Sequence, residues 1–179
     1  ISLTEGGVGW VPYFLERAEF TLDHHGPWTK SNFGGKRPTE LFREHFLTCF
    51  IEDESGLRNR DLVGIENILF ECDYPHSDST WPMTPENTFR QLDNVGLSDE
   101  EINQVTHLNA IKNFNSDPIA ILGRENCTVG ALREKARKAG IDTREKSGGG
   151  NSAKITDRSG RMTSGEVQKL FAGEGAAAD

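Results

Sequence analysis

The stretch NILFECDYPHSDSTWP, residues 67–82, begins as a short apolar run and ends in a loop dense in Asp, His, Pro and Trp. An apolar run of this length, bounded by such residues, predicts a buried β-strand followed by a loop. Asp73 stands where the strand ends, and His76 and Asp78 follow in the loop. A rigid strand that delivers polar side chains to one loop is a common way of building an active site. The stretch therefore predicts a functional site at Asp73.

Upstream of this strand, apolar periodicity and turn residues predict alternating strands and helices. The predicted elements are, in order, a strand at 1–4, a helix at 11–25 ending at His24 and His25, a helix at 38–46, a strand at about 47–52, a short helix at 57–65 and the third strand at about 67–72. Such alternation favours a parallel sheet with helical crossovers, so we predict an α/β fold.

Downstream of the loop the sequence predicts helices and then a tail. Thr84 is expected to cap a helix, Ser98 and Glu101 form a capping box that opens another, and a last helix is expected from about Val129. We predict a main domain over residues 1–122, a helical extension over 123–145 and a flexible tail over 146–179, where glycines and small residues dominate.

Composition narrows the class of protein. The net charge of −8 and the pI of about 5.2 argue against binding to nucleic acid or to an anionic membrane, and favour a small-molecule partner. The three cysteines have no CxxC spacing, so neither a disulfide framework nor a zinc knuckle is predicted. No signal segment or long apolar run is evident, so we expect a cytoplasmic protein. Because the chain starts at Ile1 in an apolar run, we expect it to be truncated.

Acidic residues follow all three predicted strands. Glu5 follows the first strand, Glu52 and Asp53 the second, and Asp73 the third. The carboxyl ends of parallel strands meet at one edge of a sheet, and carboxylates bind divalent cations such as zinc, manganese or magnesium. We therefore predict a metal site at this edge. The alternative, which applies to Glu52, Asp53 and Asp78, is that these acids cap the following helices.

Four segments together resemble the C-terminal part of the amidohydrolase-related family, whose members are metal-dependent hydrolases and decarboxylases similar to aminocarboxymuconate-semialdehyde decarboxylase. The segments are EGGVGWVPYFLERAE, CFIEDESGL, NILFECDYPHSDSTWP and LSDEEINQVTHLNAIKNF. The resemblance implies a TIM (β/α)8 barrel, of which this chain would hold about the last three strand–helix units. It also implies a divalent metal ion, zinc foremost, with manganese and magnesium as alternatives.

The resemblance assigns roles to two acids. Asp73 would be the family's ligand at the end of the eighth strand, which binds metal and takes part in proton transfer. Glu5 would occupy the sixth-strand position, where many relatives carry histidine, so it could bind metal, act as a base or orient water. The family's other ligands would precede Ile1, and we therefore expect this chain alone to be inactive.

Three further residues are candidates for substrate binding. His76 is expected to bind substrate or shuttle a proton at the pocket rim, or else to bond the loop backbone. Trp81 and Trp10 are candidates for apolar walls around a ring-bearing substrate, with core packing as the alternative for Trp10. His24 and His25 are expected to complement a helix end, and His107 to lie on a helix, either packed or at the surface.

The predicted function is therefore that of a metal-dependent hydrolase or non-oxidative decarboxylase acting on a small organic substrate, aromatic or carboxylated. Oligomerisation of the full-length protein is left open. The alternative is a non-catalytic protein-binding module built from a barrel remnant.

Overall fold

A three-stranded sheet lies at the centre of the structure, a computed structural model that describes residues 1–76 and 78–143. The strands β1 (Ser2–Leu3), β2 (Leu47–Phe50) and β3 (Ile68–Phe70) lie side by side in the order β1-β2-β3. Both neighbouring pairs are parallel, with Leu3 opposite Thr48 and Phe50 opposite Phe70. The predicted parallel arrangement of these three strands is confirmed, and the fold is α/β.

Helices connect the strands and follow the last one. Between β1 and β2 lie α1 (Val11–Thr29) and α2 (Pro38–His45), and between β2 and β3 lie α3 (Glu54–Arg58), α4 (Arg60–Val63) and a 3-10 turn (Ile65–Asn67). After β3 come α5 (Thr84–Asn94), α6 (Asp99–Asn103), a π-helical segment (Gln104–Leu108), α7 (Asn109–Phe114), α8 (Pro118–Leu122), a 3-10 turn (Arg124–Asn126) and α9 (Val129–Lys138).

The hydrophobic core lies between the sheet and the helices on it. Its buried residues come from strands, helices and loops, and they are Val8, Val11, Leu15, Phe42, Phe50, Leu57, Val63, Ile68, Leu92, Leu97 and Val105. Burying a side chain such as Leu57 or Ile68 stabilises the fold by roughly 1.5–3 kcal/mol relative to exposure. The Asn109 amide donates to the carbonyl oxygens of Ile65 and Ile68, both at 2.8 Å, and so fixes the helix after the π-helical segment against β3. These contacts fix the start of β3, at the end of the strand opposite to Asp73.

Helix α1 is longer than predicted. It continues past Pro27 to Thr29, so the prediction that His24 and His25 end the helix is wrong. Proline fixes φ near the helical value, and the helix therefore continues with one backbone hydrogen bond missing. His24 stacks on Phe20 with ring centroids 3.9 Å apart, and His25 Nδ1 accepts a hydrogen bond from the Trp28 indole at 3.2 Å. Both histidines have local structural contacts.

Of the three helix starts predicted after β3, two are confirmed and one is wrong. Thr84 is the first residue of α5 and does not cap it; its hydroxyl accepts a hydrogen bond from the Thr80 hydroxyl at 3.2 Å. Ser98 caps α6 as predicted, because its hydroxyl accepts from the Glu101 amide and Glu101 accepts from the Ser98 amide. Helix α9 begins at Val129, as expected.

The predicted flexible tail, residues 146–179, lies outside the described residues, and the domain boundaries at 122 and 145 stay predictions. Residues Ile1–Thr143 form one compact unit. Within residues 1–76 and 78–143, no helix combines the length and the apolar character that crossing a bilayer requires.

Candidate metal centre

Three of the predicted site residues come together at the carboxyl edge of the sheet. Glu5 follows β1, whereas Asp73 and His76 follow β3. One carboxylate oxygen of each acid and one ring nitrogen of His76 all lie within 4.8 Å of one another. Two strands separated by β2 therefore bring their following residues to a single point, as expected for parallel strands.

Both acids of this cluster have a left-handed backbone conformation. The φ angle is 59° at Glu5 and 54° at Asp73. For residues other than glycine this region costs about 1 kcal/mol or more, and it persists where the surroundings fix it. These left-handed residues lie in the loops shortly after β1 and β3, where they turn the chain sharply and place both side chains over the end of the sheet.

Asp73 and His76 form a hydrogen-bonded pair within the loop. His76 Nδ1 donates to Asp73 Oδ1 at 2.8 Å, and the His76 amide donates to the Asp73 carbonyl at 2.8 Å. The Asp73 side chain is 11% exposed and the His76 side chain 66% exposed, so the imidazole links a nearly buried carboxylate to solvent. The hydrogen bond and the negative charge of Asp73 raise the pKa of His76. The imidazole contacts the Asp73 carboxylate, and its predicted role in substrate binding or proton transfer stays a prediction.

Glu71 also belongs to this edge of the sheet, although it is not among the site residues predicted from the sequence. Its Oε1 accepts a hydrogen bond from the Glu5 amide at 2.6 Å. Burial raises the pKa of the Glu71 carboxyl, and the charges of Asp73, Glu5 and Asp78 raise it further. Its position directly after the apolar run of β3, at the carboxyl end of the sheet, was the signal that could have found it.

Asp53, at the end of the second strand, has a structural role. Its Oδ2 accepts from the amides of Val8 and Gly9 at 2.6 and 2.7 Å, and its Oδ1 accepts from the Gly56 amide at 2.7 Å. It therefore caps α3 and holds the glycine loop after Glu5, which confirms the capping alternative for this residue. Glu52 and Asp78 are exposed and cap no helix, since α3 begins after Asp53 and α5 after Met83.

The two candidate tryptophans lie in separate recesses. The Trp10 indole donates to the Gly7 carbonyl at 3.0 Å and packs edge to face with Phe14, in a groove between α1 and α2. Trp81 packs against Tyr74 with ring centroids 5.1 Å apart and lines a recess beside Cys72 and Leu132. Among the described residues, neither recess is lined by Glu5, Asp73 or His76. A substrate-binding role for Trp10 and Trp81 stays a prediction.

The donor set of the cluster suits a divalent cation. Two carboxylate oxygens and one imidazole nitrogen are ligands that zinc and manganese accept, whereas magnesium prefers oxygen ligands alone. A hydrogen-bonded carboxylate and imidazole can also transfer a proton between a buried point and solvent. The geometry therefore supports both metal binding and acid–base chemistry at Asp73.

Comparison with known proteins points to one family. A family model described as amidohydrolase matches residues 2–115. Among solved structures, the chain is similar to the crystal structure of 5-carboxyvanillate decarboxylase from Sphingomonas paucimobilis, with 22% sequence identity and a TM-score of 0.50. This similarity covers 62% of the chain and 33% of the decarboxylase, so the chain spans about a third of the length of that protein. At this identity the similarity concerns the fold. No curated protein matches the chain.

Proposed function

This chain belongs to the amidohydrolase family, and we propose that it supplies the last three strand–helix units of a (β/α)8 barrel in a metal-dependent enzyme. The parallel order β1-β2-β3 and the helices that follow each strand support this placement. So does the similarity in fold to a larger decarboxylase, about a third of which the chain covers. In such a barrel the site lies at the carboxyl ends of the strands, where Glu5 and Asp73 are found.

We assign Asp73 and Glu5 as metal ligands of the complete site, with zinc the best match to the donors and manganese or magnesium as alternatives. A bound divalent ion supplies Lewis acidity toward water or a carboxylated substrate. The convergence of Glu5, Asp73 and His76 within 4.8 Å is the observation that carries this assignment.

Asp73 is also the proposed acid–base residue. In hydrolysis its carboxylate takes a proton from the attacking water. In non-oxidative decarboxylation the bond to the leaving CO2 breaks, and the carbon that keeps the electron pair takes a proton from the carboxylic acid form of Asp73. His76, which donates to Asp73 at 2.8 Å and is open to solvent, exchanges that proton with the bulk.

The substrate proposed is a small organic molecule, aromatic or carboxylated, contacted by His76 and by Trp81 of the same loop, whereas Trp10 lies in a separate groove and is not part of this proposal. Trp81 and Tyr74 form an aromatic pair in the loop after Asp73, which supports recognition of a ring. Hydrolysis and decarboxylation remain the two reactions of this proposal, because the solved decarboxylase resembles the chain in fold alone. The cytoplasmic location stays a prediction.

The proposal is tested with Asp73→Asn in the full-length protein. The amide keeps the size of the side chain but lacks the charge and the capacity to accept a proton. We expect turnover to be lost and the bound metal, measured by plasma emission spectrometry, to fall, while the melting temperature stays close to that of the wild type.

Glu52→Gln is the matched control, because Glu52 is an exposed carboxylate at the end of the neighbouring strand and outside the cluster. It is expected to keep both metal and turnover. An Asp73→Asn protein that retained its metal and turned over substrate at the wild-type rate would show that Asp73 is structural.

A further inference from the structure

Glu71 connects the two sides of the candidate centre. It follows β3 directly, and its backbone amide still donates to the Phe50 carbonyl of β2 at 3.0 Å, so its position is fixed by the sheet. Its carboxylate reaches across the end of β2 and accepts the Glu5 amide at 2.6 Å. A hydrogen bond between a backbone amide and a carboxylate is charge-assisted, and it is stronger than a neutral one.

The loop that follows β1 has anchors at both ends. Asp53 binds the amides of Val8 and Gly9, at the end where the loop enters α1. Glu71 binds the amide of Glu5, at the end where the loop leaves β1. Glu5 itself has a left-handed backbone, with a φ of 59°. Its side chain is exposed, so packing of that side chain does not hold the residue in place. The contact with Glu71 is what fixes its backbone.

We propose that Glu71 is a positioning residue, which sets the Glu5 carboxylate relative to Asp73 by holding the Glu5 amide. This proposal rests on the metal centre proposed above. Groups that orient a metal ligand through a hydrogen bond typically contribute 10- to 100-fold to metal affinity. Glu71 is thus expected to control metal affinity through Glu5, without touching the ion.

The test uses the full-length protein and Zn²⁺ as the probe. Glu71→Ala removes the acceptor and is expected to weaken Zn²⁺ binding by about 10- to 100-fold in calorimetry. Glu71→Gln keeps an acceptor oxygen at the same reach, so its affinity is expected to stay close to wild type. Glu71→Asp keeps the charge but is one methylene shorter, and it is expected to behave like the alanine variant. Glu66→Ala, an exposed glutamate at the opposite end of β3, is the control and should bind as the wild type.

A second measurement reports the hydrogen bond without metal or activity. The Glu5 amide proton should resonate downfield in wild type and Glu71→Gln, and should lose this shift in Glu71→Ala and Glu71→Asp. The proposal is overturned if Glu71→Ala displaces this resonance and leaves Zn²⁺ affinity unchanged. It is also overturned if Glu71→Gln binds Zn²⁺ as weakly as Glu71→Ala. That result would show that the affinity depends on the charge of residue 71 and not on its hydrogen bond with the Glu5 amide.

Two further outcomes separate this proposal from the one it rests on. If Glu71→Ala does not fold, the comparison of Glu71→Asp with Glu71→Gln decides, because only the glutamine variant should keep affinity. Wild-type protein without affinity for Zn²⁺ would overturn the metal centre itself. Wild-type protein that binds Zn²⁺, with all three Glu71 variants unaffected, would overturn the role of Glu71 alone.

Discussion

At the scale of single residues, the site depends on carboxylates that bind backbone amides. Asp53 and Glu71 together accept four amide hydrogen bonds at 2.6–2.7 Å, three of them from the loop that carries Glu5. Neither acid is a candidate ligand in the cluster of Glu5, Asp73 and His76. Asp53 and Glu71 therefore hold the backbone, whereas Glu5 and Asp73 lie in the cluster with His76.

Asp53→Ala is predicted to destabilise the protein by about 3 kcal/mol, because the amides of Val8, Gly9 and Gly56 lose their acceptor and Val8 is fully buried. Chemical denaturation with urea measures the change in the free energy of unfolding. Asp61→Ala removes an exposed carboxylate and should change this free energy by less than about 0.5 kcal/mol. Equal stability of the two variants would contradict the anchoring role of Asp53.

At the scale of elements, the short helix α3 is packed unusually closely on the glycine loop. A Cβ at Gly56 would lie 2.6 Å from the Gly9 amide nitrogen and 2.7 Å from Asp53 Oδ2, and would clash with the Val8 side chain. Glycine is normally unfavourable inside a helix. Here it allows α3 to approach the loop after β1, so that one carboxylate can bind both.

Gly56→Ala is therefore predicted to reduce stability by about 1–3 kcal/mol, although alanine is the better helix former. The matched variant is Gly130→Ala in α9, where a Cβ would meet nothing within 4 Å. That substitution should raise stability by up to about 1 kcal/mol. Thermal and urea unfolding of both variants test the pair, and a stabilised Gly56→Ala protein would contradict the close approach.

At the scale of the whole unit, an ion pair ties the crossover between β2 and β3 to the helices after the site. Arg60 of α4 donates to Glu101 of α6 through Nε at 2.6 Å and Nη2 at 3.1 Å. The Arg60 hydrogen bonds hold the pKa of Glu101 below its usual value, although partial burial opposes them. Glu101 also completes the capping box with Ser98, so one side chain serves a helix start and a long-range contact.

This pair predicts a pH dependence of stability. A carboxyl whose pKa is lowered on folding stabilises the protein above its unfolded pKa, and this contribution is lost as the pH falls through the folded value. Glu101→Gln keeps the capping box and removes the charge. The wild type should therefore be more stable than Glu101→Gln by about 1 kcal/mol at pH 7, with the difference shrinking below about pH 4.

Urea unfolding at several pH values measures this difference. The control is Glu134→Gln, which breaks an exposed pair with Arg137 within α9 and should alter stability little at any pH. A difference between wild type and Glu101→Gln that stayed constant down to pH 3 would contradict the ionic contribution of the pair.

The sequence alone determined the alternation of strands and helices, the parallel order of the strands and the location of Asp73 at the carboxyl edge of the sheet. These follow from local causes, namely apolar periodicity, capping residues such as Ser98, and the rule that parallel strands end at one edge. Local patterns gave wrong predictions where local propensity and structural context differ. Helix α1 continues beyond Pro27, and Thr84 is the first residue of α5 instead of its cap.

Only the tertiary structure decided which acids after the strands bind the backbone and which lie in the cluster with His76. Asp53 and Asp73 each lie three residues after the end of a strand and cannot be told apart by spacing, yet one accepts three backbone amides and the other faces Glu5 and His76. The backbone amides bound by the Asp53 and Glu71 carboxylates lie more than 40 residues away in the chain, apart from that of Gly56. Contacts of that separation depend on how elements pack, and the packing is fixed by steric details such as the missing Cβ at Gly56, which no local pattern encodes.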